Sequence, residues 1–212
     1  NTEVQGLTFD WDNATDSIGD TVTLRSSTGP VEFLNTPSVP DTLELTNLQP
    51  AANLDIQTES GLLAENDGTV VDLLLQDVAP QDDDGGIDLS LEAEDDSDVR
   101  GTNVSVTSLG SANDFGAFDV ITDDDSTDDT DEVLTINGPG DFRLLGGEQT
   151  DADVLEAGNA EGDLTIGFSQ GDVVATSGAG DDTLTFTGNA TQQNGGHDIT
   201  TGDGDDTVRI AQ

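Results

Sequence analysis

The chain has 212 residues and a formal net charge of -42, from 46 acids set against four arginines and no lysine. That charge excludes nucleic acid and anionic membranes as partners, and its self-repulsion opposes compaction unless cations are bound or salt is high. Cysteine is absent, which removes disulfides and thiolate chemistry, and no apolar run approaches membrane-spanning length.

In chain order, the dominant pattern is a short apolar-x-apolar triplet. It begins with Val22-Thr23-Leu24, Val31-Glu32-Phe33, Leu43-Glu44-Leu45 and Leu54-Asp55-Ile56. It continues through Val71-Asp72-Leu73, Ile87-Asp88-Leu89, Val104-Ser105-Val106, Phe118-Asp119-Val120, Leu134-Thr135-Ile136 and Phe142-Arg143-Leu144. Leu164-Thr165-Ile166, Val173-Val174-Ala175, Leu184-Thr185-Phe186 and Val208-Arg209-Ile210 complete it. Alternation with period two is the mark of a half-buried strand, and Gly/Asn/Asp/Pro clusters separate the strands. No apolar stripe of helical period appears; Gly61 to Glu65 is the one place for a single helical turn.

Aspartate outnumbers glutamate about three to one. Glutamate suits helix surfaces, whereas the short aspartate side chain bonds nearby backbone and suits turns. Strands this short, with 4% aromatic residues and no Tyr, favour a parallel β-solenoid or β-roll over a β-sandwich. The fold class expected is therefore all-β, with an N-terminal sandwich followed by a short roll as the alternative. Gly138-Pro139-Gly140 marks the expected division into a β-rich region, 1–140, and a roll region, 141–212, unless one solenoid runs throughout. Two acidic stretches, 81–86 and 122–132, read as solvated loops, with an extra low-affinity cation site as the alternative at each (Asp82, Asp84 and Asp88 at the first); the second lacks the glycine and terminal glutamate of an EF-hand.

Two segments carry the most specific signal. Ser177-Gly178-Ala179-Gly180-Asp181-Asp182-Thr183-Leu184 and Thr201-Gly202-Asp203-Gly204-Asp205-Asp206-Thr207-Val208 agree position by position. The glycines let the backbone turn tightly and expose its carbonyls, and the second aspartate adds a carboxylate. A hard cation such as calcium seeks such a nest of oxygens, while a metal-free turn with self-bonded aspartates uses the same residues.

The two segments resemble the nine-residue repeats of RTX proteins, G-G-x-G-x-D-x-aliphatic-x. The resemblance covers residues 158–210. It implies a parallel β-roll with calcium between stacked turns, held by Gly178, Gly180 and Asp182 at one site and Gly202, Gly204 and Asp206 at the other. Leu184 and Val208 take the buried aliphatic position. Ser177 and Thr201 replace the first glycine, and the copies stand 24 residues apart where an unbroken roll has 18, so an insertion at 189–194 is expected.

Catalysis finds little support. His197 is the only histidine and sits in a glycine-rich turn, zinc lacks His and Cys partners, and Trp11 is the only tryptophan. Sequons at Asn13, Asn103 and Asn189 permit glycosylation. The start, Asn1-Thr2-Glu3-Val4, has no initiator Met and suits a mature secreted chain. The expected function is non-enzymatic: an extracellular or cell-surface structural protein, stabilised by calcium, that assembles with itself into a filament, surface layer or matrix. The alternatives are a calcium-dependent adhesin that meets cell-surface glycans or proteins, and a β-helical polysaccharide lyase or hydrolase. Strand-like segments that run nearly to both ends, without a capping helix, favour self-assembly.

Overall fold

The computed structural model describes residues 7–10, 21–36, 41–49, 52–58, 69–78, 86–93, 102–119, 132–145, 150–187 and 196–211. Among them there is no helix, and 17 short strands alternate between two sheets. The odd strands form one sheet: β1 (Leu7–Asp10), β3 (Val31–Thr36), β5 (Leu54–Thr58), β7 (Ile87–Ala93), β9 (Ala112–Asp119), β11 (Asp141–Leu144), β13 (Leu164–Phe168), β15 (Thr183–Phe186) and β17 (Thr207–Ile210). The even strands form the other: β2 (Thr21–Arg25), β4 (Thr42–Thr46), β6 (Thr69–Gln76), β8 (Thr102–Leu109), β10 (Val133–Gly138), β12 (Val154–Ala160), β14 (Val174–Thr176) and β16 (Asp198–Thr200). Each strand pairs in parallel with the strand two places along, as with Leu43 on Leu73 and Phe168 on Phe186. This is a parallel β-solenoid, and the N-terminal strands belong to the same two sheets as the C-terminal ones. Gly61 to Glu65 and most of both acidic loops lie outside the described residues.

Alternation explains the core. Inward residues of the two sheets meet between them, and register stacks like on like, coil after coil. One column runs Val71, Val104, Leu134, Leu155, Ala175 and Ile199. All but Ile199 are buried. Another runs Ile166, Leu184 and Val208. Both sheets pass through Gly138–Asp141 unbroken: β10 pairs with β8 and β12, and β11 with β9 and β13.

Coil length varies at both kinds of connection. Leu54 pairs with Leu89, 35 residues on, whereas Ile166 pairs with Leu184, 18 residues on. The chain from β8 to β9 and from β10 to β11 turns within two residues, Gly110-Ser111 and Pro139-Gly140. In the long coil from Leu54 to Leu89 both connections are long, residues 59–68 between β5 and β6 and residues 77–86 between β6 and β7.

A polar plug interrupts the apolar core where long coils give way to shorter ones. Buried Asn113 accepts the Val78 N–H at 3.0 Å and donates to the Ser108 hydroxyl at 2.7 Å and the Leu109 carbonyl at 3.0 Å. Beside it Arg143 donates twice to buried Asp114, each at 2.7 Å. Burial raises the Asp114 pKa and Asp141 adds to the rise, while the Arg143 guanidinium opposes it. Three phenylalanines, Phe115, Phe118 and Phe142, pack around one another at 5.2–5.5 Å between centroids.

Candidate metal centre at the aspartate corner

The turns that lead from even strands to odd strands stack along one corner of the solenoid. After β14 the turn is Ser177 to Asp182, and after β16 it is Thr201 to Asp206. Gly180 and Gly204 have φ of 112° and 138°, a backbone region open to glycine and strained for other residues. The turns lie directly on one another: Ala179 bridges Asp203, the Asp203 N–H donates to the Gly178 carbonyl at 3.1 Å, and the Gly180 N–H donates to the Asp203 carbonyl at 3.0 Å. A methyl group on Gly202 would collide with the Gly178 carbonyl oxygen, so contact this close needs glycine. The two predicted site triads therefore form one stacked corner. The 24-residue step from Leu184 to Val208 takes up the chain between β15 and β16, where the insertion was expected.

The aspartates at the first and second positions of the corners point opposite ways along the stack, as Asp181 and Asp182 do. The first reaches onward: Asp141 accepts the Asp163 N–H at 3.0 Å, Asp163 the Asp181 N–H at 2.8 Å, and Asp181 the Asp205 N–H at 2.9 Å. The second reaches back: Asp182 accepts the Leu164 N–H at 2.9 Å, and Asp206 accepts the Asp182 N–H at 3.1 Å. Each bond ties one coil to the next where the strands are too short to do so. Asp141 and Asp163 were not among the predicted site residues. A signal for them exists: Gly140-Asp141, Gly162-Asp163, Gly180-Asp181 and Gly204-Asp205 place the same dipeptide at four successive corners.

Asp182 is the unusual member. It is 1% exposed, and its second oxygen, Oδ2, is buried without a hydrogen-bond partner, as is the hydroxyl of Ser177, 3% exposed. Burial raises the Asp182 pKa, and the charges of Asp206 and Asp163 push it further. The neighbouring Ser177 hydroxyl and the Leu164 N–H pull the other way, although Ser177 stops short of regular hydrogen-bond geometry. A buried carboxylate with a bare oxygen, repelled by two others, is costly unless protonated or met by a cation. The donor set fits a hard cation in this respect. Among the described residues no three Asp, Glu or His side chains converge as ligands, so a cation here would draw on the turn carbonyls beside Asp182. Gly202, Gly204 and Asp206 are more open, on the last described coil.

His197 has a structural setting. Its ring lies 4.6 Å from Phe186, which itself stacks 5.0 Å from Phe168, so three rings form a column. Its Nδ1 accepts the Val173 N–H at 3.3 Å, which leaves the neutral ring's proton on Nε2. Nε2 and the Asp172 Oδ1 are both buried without partners. Asn103, on β8, spends its amide oxygen on the Val133 N–H at 2.9 Å; Asn13 and Asn189 lie outside the described residues, as does Trp11.

No protein-family model, no curated protein and no solved structure matches the chain.

Proposed function

We propose that the protein is an extracellular structural element, a solenoid that associates with further copies of itself into a filament, layer or matrix, with calcium at the aspartate corner. One observation carries this proposal: the fold is a linear stack in which each strand pairs in parallel and in register with the strand two places along, so that one coil presents the pairing edge and the apolar columns the next coil uses, as Leu184 and Phe186 meet Val208 and Ile210. Parallel in-register edges of this kind template another strand.

Asp182 and the carbonyls of Gly178 and Gly180 would hold the ion, with Asp206, Gly202 and Gly204 supplying the facing half. Bound calcium would supply positive charge to a buried carboxylate and screen the acids of neighbouring coils. The chain's own contribution is the stacking of two glycine corners that brings those oxygens together. Static light scattering of the purified chain, in calcium and in chelator, tests the proposal. Association in calcium that reverses with chelator is expected; a compact monomer under both conditions rules it out.

An adhesin is the second possibility, in which the acidic stretches 81–86 and 122–132 meet the partner. An adhesin would stay monomeric in calcium and bind a surface glycan or protein saturably.

A further inference from the structure

The sequon Asn103-Val104-Ser105 lies near the start of β8, at the end of the even strands opposite the aspartate corner. Alternation turns Val104 inward, where it is 1% exposed, and sets Asn103 and Ser105 on the outer face of the even sheet, both half-buried. The Asn103 amide uses its two ends differently. Its oxygen accepts the Val133 N–H of the next coil at 2.9 Å, which fixes the amide plane. Its Nδ2 has no hydrogen-bond partner among the described residues, and neither has the Ser105 hydroxyl. A substituent on Nδ2 leaves the amide oxygen free to accept, so the bond between coils survives the modification. The outward neighbours in the following coils are Val133, then Val154 and Val174 in register, the last 49% exposed. In a chain of 46 acids this strip carries no charge, and the C–H face of a sugar ring can lie along it.

We propose that Asn103 is an N-glycosylation site, with the glycan standing off the outer face of the even sheet. The donor is a sugar carried on a lipid phosphate. Nδ2 bonds to the anomeric carbon, and the bond from that carbon to the phosphate oxygen breaks. The lipid phosphate leaves with the electron pair, and Nδ2 gives up one proton. Ser105, two residues on, supplies the hydroxyl that the sequon requires. The assignment rests on the extracellular placement proposed above, because lipid-linked sugars are transferred to exported chains.

The test is peptide mapping by mass spectrometry on the chain recovered from the cells that make it. Trypsin cuts this lysine-free chain after Arg25, Arg100, Arg143 and Arg209, so Asn13, Asn103 and Asn189 fall into separate peptides, 1–25, 101–143 and 144–209. Peptide 101–143 should carry the added mass of sugar residues, with fragment ions that place it on Asn103. Ser105→Ala made in the same cells should lose that mass and Ser105→Thr should keep it. Both variants should keep the wild-type circular dichroism, because the Ser105 hydroxyl makes no hydrogen bond among the described residues. An unmodified peptide 101–143 from chain found outside the cells overturns the proposal and leaves the extracellular reading standing. So does an added mass that persists in Ser105→Ala. Chain found only inside the cells overturns the extracellular reading and the glycan assignment with it.

Discussion

Replacing Asp182 by Asn should stabilise the chain without calcium and erase its response to calcium. The asparagine oxygen can keep the 2.9 Å bond from the Leu164 N–H, and its amide group can use the unpartnered Ser177 hydroxyl. The substitution removes a charge that is buried, has one bare oxygen and is repelled by Asp163 and Asp206. The sign follows from the raised pKa of Asp182. The folded state holds this proton more tightly than the unfolded chain, so the contribution to stability is full below the unfolded value and is lost as pH rises through the folded one. At neutral pH the metal-free wild type therefore bears the cost of the ionised form. Relieving one unsatisfied buried group is worth about 1–3 kcal/mol, or about 2–12 °C for a chain of this size. Calcium at about a hundred times its dissociation constant should stabilise the wild type by about 2.7 kcal/mol and the variant hardly at all. The assay is thermal unfolding by circular dichroism in chelator and in calcium at equal ionic strength. Asp181→Asn serves as the control, because it removes the same charge from an exposed position. A variant that melts lower than wild type in chelator and keeps the full calcium shift would refute both the burial argument and the assignment of the ion to this corner.

Arg143→Ala should cost about 3–5 kcal/mol in urea unfolding, since it strips a buried carboxylate of its bidentate partner. That loss should shrink as the pH is lowered and Asp114 takes up a proton; a pH-independent loss would count against it. Gly202→Ala should loosen the last coil through its collision with the Gly178 carbonyl, seen as faster amide exchange at β16 and β17 while β12 and β13 keep their protection. Phe186→Ala, which opens the column between Phe168 and His197, should cost about 3–5 kcal/mol in the same unfolding assay; a loss under 1 kcal/mol would mean the column is loosely packed.

Much of the fold was legible because period-two alternation is local. Leu134-Thr135-Ile136 or Leu164-Thr165-Ile166 announces which side chains turn inward whatever the neighbours do, and the absence of a helical stripe leaves only strands. The nine-residue spacing from Leu164 to Val173 likewise marks the point where the chain changes sheets. The glycine-aspartate corners were visible as motifs, since tight turns need glycine whether or not an ion is present. Register is another matter. That Leu54 lies on Leu89, or the Asp206 carboxylate on the Asp182 N–H, depends on how much chain each connection takes up, and no local pattern encodes that sum. The same non-local step joined two apparently separate site triads into one corner, turned adjacent aspartates in opposite directions, and left Asp182 with a bare oxygen in the interior. Alternation and turn chemistry determined a parallel solenoid with acidic glycine corners. Stacking alone decided which carboxylate is buried and which backbone groups it meets, because burial and hydrogen-bond partners are properties of the neighbouring coil.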